Sequence, residues 1–229
     1  MSDFTLEELD QDGAFCDALE RVQGPTRAEF LRKAVVGGGT LLAALAAPPR
    51  EALAKTDDIS ILNFDLTFEY LQATFYTETE RVGTVDKMRP EMARWARVFG
   101  AHERAHVKIL KDVLGDAGVK KPFFNFQGVT EDPTRFARTA VAMEDLTTAL
   151  LAGQAPRINS RALVAAIFSL LTVEARHAAW VRNVVGFTPV VSAFDDPKSL
   201  TEVGRVVNDT NFIASRPQTQ VRGAPRFTG

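Results

Sequence analysis

The sequence predicts an all-α fold, and three observations carry that prediction. Four long segments between residues 57 and 185 place apolar side chains at steps of three and four, the period of one helix face. Each segment is bracketed by helix punctuation, with Asp, Asn, Ser or Pro where it opens and Gly or Pro soon after it closes. No stretch of length alternates apolar and polar residues in the manner of a strand.

The first helix is expected from Asp57 or Asp58, either of which can cap it, to about Glu80. One of its faces carries Leu62, Leu66, Glu69, Ala73 and Tyr76. After a polar turn at Gly83, a second helix opens at Pro90, a residue suited to a first turn, and runs to about Leu114. Its inner stripe is Phe99, Glu103, His106, Leu110 and Val113, and its outer stripe is Arg94, Arg97, Arg104, Lys108 and Lys111. The two faces separate cleanly, as an amphipathic helix requires. Gly115 and Gly118 end it.

The longer connection that follows holds Pro122, Phe123, Phe124 and Phe126, and is expected to cross the end of the helix cluster with its aromatics plugging the core. Asp132-Pro133 opens a third helix whose inner stripe is Ala137, Val141, Glu144, Thr148 and Leu151, and Gly153 and Pro156 are expected to break it. Asn159 or Ser160 caps the fourth, with Leu163, Ile167, Leu170, Glu174, His177 and Val181 inside, running to about Val185. Gly186 and Pro189 stop it. A short helix around Leu200–Val207 and a polar tail complete residues 187–229, a C-terminal extension.

Upstream, residues 1–25 read as a polar leader. A basic stretch from Thr26 to Lys33, a short Gly-rich apolar run to Ala47 and the small-x-small Ala52-Leu53-Ala54 have the parts of an export signal. The basic part resembles a twin-arginine signal, with Ala28 where the second Arg would stand. Residues 1–54 are therefore expected to be a leader and export segment, 55–186 the helical body, and the protein to be periplasmic, cell-envelope or secreted, or cytoplasmic if the segment is not a signal. The apolar run is short for a bilayer, so no stable membrane span is expected.

The net charge of -2 over 229 residues, 45% of them hydrophobic, suits one globular domain and points away from nucleic-acid partners. Cys16 is the sole cysteine, which excludes intrachain disulfides and Cys-based zinc or iron–sulfur sites. No Gly-rich phosphate loop is supported, since Gly37-Gly38-Gly39 lacks the following Lys and Ser or Thr.

Two of the three histidines stand in the same motif, Glu103-Arg104-Ala105-His106 and Glu174-Ala175-Arg176-His177. Residues three apart share a helix face, so each motif aims a carboxylate and an imidazole at one place. Glu69 and Glu144 fall on the inner stripes of the other two helices. The set of one Glu from each of two helices and Glu-x-x-His from each of the other two matches that of di-iron and di-manganese carboxylate bundles. Four unpaired carboxylates in a dry core would each cost several kcal/mol, and two divalent cations would balance them. Glu69, Glu103, His106, Glu144, Glu174 and His177 are therefore the expected metal ligands. Carboxylate and imidazole donors suit iron, manganese or zinc.

The region from about Asp57 to Phe212 resembles the ferritin-like superfamily, and more specifically the ferritin-like domain of desiccation-related and bacterial exported proteins. The stretches that carry the likeness are Leu62–Leu71 with Phe75-Tyr76, Glu103–His106, Leu171–Ala179 and Gly186–Pro189. The resemblance implies an up-down four-helix bundle with one long crossover connection and a metal pair at its middle, iron in the first place and manganese the alternative. It also implies that Tyr76 lies beside the metals. Asp65 stands one turn before Glu69 at a position usually apolar in that group, and is read as a polar residue of the bundle end. His102 is expected at the rim, about 100° around the helix from Glu103. Trp95 and Trp180 are expected to fill the core, and the Arg–Lys stripe to be a solvated face.

Two functions follow as expectations. One is a non-haem di-metal protein doing redox chemistry on oxygen, peroxide or ferrous iron. Its partners would be metal ions and a small oxidant, with homo-oligomerisation left open. The other is an exported stress- or desiccation-protective protein that uses the bundle without turnover.

Overall fold

The computed structural model describes residues 56–215. The leader, the export-like segment and most of the polar tail lie outside the described residues. Four long helices form the body: α1 (Thr56–Arg81), α2 (Pro90–Leu114), α3 (Pro133–Gln154) and α4 (Arg161–Val184). A shorter α5 (Leu200–Thr210) follows, and two-residue strands β1 (Phe123–Phe124) and β2 (Ile213–Ala214) pair antiparallel. α1 packs chiefly on α2, and α3 on α4, while α1–α3 and α2–α4 contacts close the bundle. The expected all-α four-helix bundle is what the chain forms.

The connection between α2 and α3 runs along the bundle, not across its end. Asn63, near the start of α1, holds its beginning, donating to the Ala117 carbonyl at 2.8 Å and accepting from the Val119 amide at 2.7 Å. Phe136, at the start of α3, stacks on Trp95 near the start of α2 and on Phe75 near the end of α1. α3 therefore begins where α2 began, and the intervening chain travels back along α1. Of its aromatics, Phe124 and Phe126 are fully buried and Phe123 is half exposed.

This return explains why α1 is buried nearly all round and not on one stripe alone. The crossover covers part of its outer face, with Phe126 against Phe75 at 5.4 Å between centroids. α5 packs on α3 and brings Gly204 against the Phe64 ring of α1, with Val203, Val207 and the following Phe212 joining the core. Among the described residues α2 has no such cover, and its Arg–Lys stripe is exposed as expected.

Local chemistry at the helix ends departs from expectation at the start of α1. Asp58 lies inside α1 and does not cap it. Its carboxylate instead accepts from the Asn159 and Ser160 amides, at 2.9 and 3.1 Å, at the start of α4. The α4 N-terminus offers free N–H groups that a neighbouring helix can satisfy as well as its own cap can. α3 ends at Gln154, between Gly153 and Pro156 as expected. A side chain at Gly153 would collide with the Lys198 carbonyl, so Gly is required by a close chain crossing. Asp132 caps α3 as expected, accepting from the Thr134 and Arg135 amides at 2.8 Å. Gly186 turns the chain at a φ of +84° past the end of α4.

By length and composition α4 could cross a bilayer. Its inner face carries Glu174 and His177 into the bundle, and Arg89 donates to the Val184 carbonyl at its end.

Candidate metal centre

Glu69, Glu103, Glu144 and Glu174 each sit near the midpoint of their helix, and all four are fully buried. The helical period carries them there: each continues a stripe of core residues, so burying that stripe buries the carboxylate with it. Gly100 lets α2 approach closely at this level, since a side chain at that position would stand 2.8 Å from the Tyr76 Cβ.

The structure brings all six expected residues together, in two overlapping sets. Glu69, Glu103, His106 and Glu174 offer ligand atoms within 4.8 Å of one another, and so do Glu103, Glu144, Glu174 and His177. Glu103 and Glu174 belong to both. In the first set the His106 Nδ1 lies 3.3 Å from Glu103, 3.0 Å from Glu174 and 3.5 Å from Glu69. In the second the His177 Nδ1 lies 3.2 Å from Glu103, 3.3 Å from Glu144 and 3.5 Å from Glu174. Both histidines thus present Nδ1 to the carboxylates.

The electrostatics show how much positive charge this cluster demands. Burial opposes charge on His177, but the carboxylates of Glu103, Glu144 and Glu174 overcome it and push the imidazole up to about 12. Burial opposes charge on His106 too, and Glu103, Glu174 and Glu69 raise it well above the usual imidazole range. Burial lifts Glu144 to about 8, and burial together with Glu103 holds Glu69 well above the carboxylate range. Glu103 goes the other way: burial would raise it, but the two imidazoles bring it to about 2. Protons on these groups do what a cation would do.

The donor set fits a pair of divalent cations. Both oxygens of Glu69, Glu103 and Glu174, one of Glu144, and the Nδ1 of each histidine are buried without a hydrogen-bond partner in the structure. The short imidazole–carboxylate distances are therefore proximities and lack hydrogen-bond geometry. Buried polar atoms are normally satisfied, and nine orphans aimed at one place are what a ligand shell looks like. All are hard oxygen or imidazole donors, suited to iron, manganese or zinc.

Tyr76 lies where expected, buried, with its hydroxyl donating to the remaining Glu144 oxygen. Burial and the Glu144 charge hold that phenol well above its usual value. Asp65 corrects the bundle-end reading. It is 1% exposed, its oxygens lack partners, and burial and Glu174 lift its carboxyl to about 7. Gln72, unremarked in the sequence, is buried with both amide atoms unpartnered. Asp65, Glu69, Gln72 and Tyr76 step by four, three and four, so continuing the helical count through polar residues would have found it. Trp95 fills the core as expected, but Trp180 is 52% exposed and does not. It lines a cavity of about 530 Å³ on the α2–α4 surface together with Trp95 and Phe99. His102 is exposed, yet its Nδ1 lies 2.9 Å from the His177 Nε2. Burial, then His177 and His106, lower it below the usual imidazole value.

No curated protein matches the chain. The family model of the ferritin-like domain matches residues 57–187, more than half the chain and the whole of the four-helix body, and the chain belongs to that family.

Proposed function

We propose that this is a non-haem di-metal protein, di-iron in the first place, that carries out redox chemistry on oxygen, peroxide or ferrous iron. The observation that carries the reading is the pair of four-residue sets sharing Glu103 and Glu174, buried and unsatisfied at the middle of the bundle. Glu69 and His106 would hold one metal and Glu144 and His177 the other, with Glu103 and Glu174 common to both sets. Bound metal would supply an open coordination position and electrons for a small oxidant. The chain's own residues do the remainder. The midpoint placement keeps bulk water from the carboxylates. Tyr76 donates its hydroxyl hydrogen to Glu144 and fixes which oxygen of that carboxylate faces the pair. His106 and His177 hold their lone pairs toward the carboxylates once their Nδ1 protons have left.

Elemental analysis of freshly purified protein should find about two metal ions per chain, and anaerobic loading with ferrous iron followed by oxygen should produce an oxidised-iron absorption that Glu103→Ala lacks. A protein that holds no metal and takes up neither iron nor manganese would sink the proposal. The reading includes export through residues 1–54: amino-terminal sequencing of the protein from its host should begin near Lys55.

A further inference from the structure

Resting on the di-metal reading above, we propose that His102 is a positioning residue for His177, and that through it the Glu144–His177 half of the centre is the half that holds metal more tightly. The two Glu-x-x-His motifs are equivalent in sequence, but their imidazoles are not equivalent in the fold. His177 presents Nδ1 to three carboxylates and turns Nε2 to the His102 Nδ1, 2.9 Å away. The two rings are within 12° of parallel with centroids 5.2 Å apart. That separation and the short N···N contact place them edge to edge, nearly coplanar, as an in-plane N–H···N hydrogen bond requires.

An imidazole that gives a cation its Nδ1 lone pair must carry its hydrogen on Nε2. His102 then accepts that hydrogen, which fixes the His177 tautomer and the swing of its ring. Phe99 lies against the face of the same ring, with centroids 4.0 Å apart and 23° between planes. His177 is thus held on edge and on face, and is 3% exposed. His106 is 9% exposed, and among the described residues no side chain hydrogen-bonds its Nε2. A ligand already held in its binding orientation loses less freedom when the cation arrives.

The test is a titration with Co²⁺ against a chelator, read by the visible absorption of the bound ion, on the wild type, His102→Ala and His102→Asn. Asn places an acceptor oxygen about where Nδ1 stands. Crystals prepared with one equivalent of Co²⁺ locate the ion by anomalous scattering. The wild type should bind in two steps, the first at Glu144 and His177. His102→Ala should weaken that step by about 10–100-fold, the range typical of residues that orient a ligand, and leave the other nearly unchanged, while His102→Asn restores most of it. His102 is exposed, and thermal melts of the loaded and metal-free variants check that each is folded. The proposal is overturned if both steps fall together, if neither moves by threefold (about 0.7 kcal/mol), or if Asn is no better than Ala. A wild type that binds no Co²⁺ overturns this inference, and one that takes up neither iron nor manganese as well overturns the di-metal reading with it. Two ions bound with no response to His102 overturns the inference alone.

Discussion

The two halves of the centre start from the same four-residue motif and end in different surroundings. The His177 half is closed: Phe99 and His102 hold its imidazole, and Tyr76 holds its carboxylate, Glu144. The His106 half is looser and more polar. Its imidazole is nearer solvent, its carboxylate Glu69 has neither oxygen hydrogen-bonded, and the unpartnered carboxyl of Asp65 stands in its field. Identical local spacing therefore produces two unlike imidazole surroundings, because an imidazole's second nitrogen is served by whatever the neighbouring helix brings to it.

Removing what the halves share should erase the comparison, with the largest effect. Glu174→Ala and Glu103→Ala each take a carboxylate from both sets, so metal content measured on purified protein should fall from about two ions to near none. Substitutions confined to one side should leave the other standing. Glu69→Ala should lose the ion beside His106 and Glu144→Ala the ion beside His177, each leaving about one per chain; equal loss from both positions would argue against two separable halves.

Acidity gives the next test. Glu144 sits near 8 and Asp65 near 7 in the folded chain, against ordinary values of 4.5 and 3.8. The folded state therefore holds protons that the unfolded chain releases. Their stabilising contribution is complete below about pH 4 and is lost as pH rises through about 8. The raised histidines act in the same direction at higher pH. Glu103, held near 2, acts oppositely but only below its ordinary value of 4.5. Metal-free protein should thus melt several degrees lower at pH 8 than at pH 5, and metal should close the gap by replacing the protons. Asp65→Asn should flatten the part of this slope between about pH 4 and 7, as followed by circular dichroism melts.

Tyr76→Phe should be the mildest change. It removes one hydroxyl and leaves one Glu144 oxygen without its donor, for a loss of about 1–2 kcal/mol and a fall of a few degrees in melting temperature. Metal content should stay near two ions per chain, and a drop to one would mean that Tyr76 also secures the His177 half.

Much of the centre was legible from spacing alone. The inner stripe of α2, Phe99, Glu103, His106, Leu110 and Val113, is buried as expected, whereas the contact of His102 with His177 on α4 lies outside that stripe by helical angle. The stripe on α1 was too narrow, because nothing local to Phe68–Phe75 says that the crossover and α5 will cover the other side. Trp180 was misplaced for the converse reason: an aromatic near an inner stripe is buried only if another element reaches it, and none among the described residues covers it fully.

What the sequence by itself determined is the set of helices and the residues each turns inward. Those depend on a period of 3.6, on caps such as Asp132 and on stops such as Gly186, all of which act within a few residues. Only the tertiary structure decided the direction of the crossover, the exposure of Trp180 and the partnership of His102 with His177. Each of these depends on which helix comes to lie beside which, and contact between residues 102 and 177 leaves no trace in the local spacing of either.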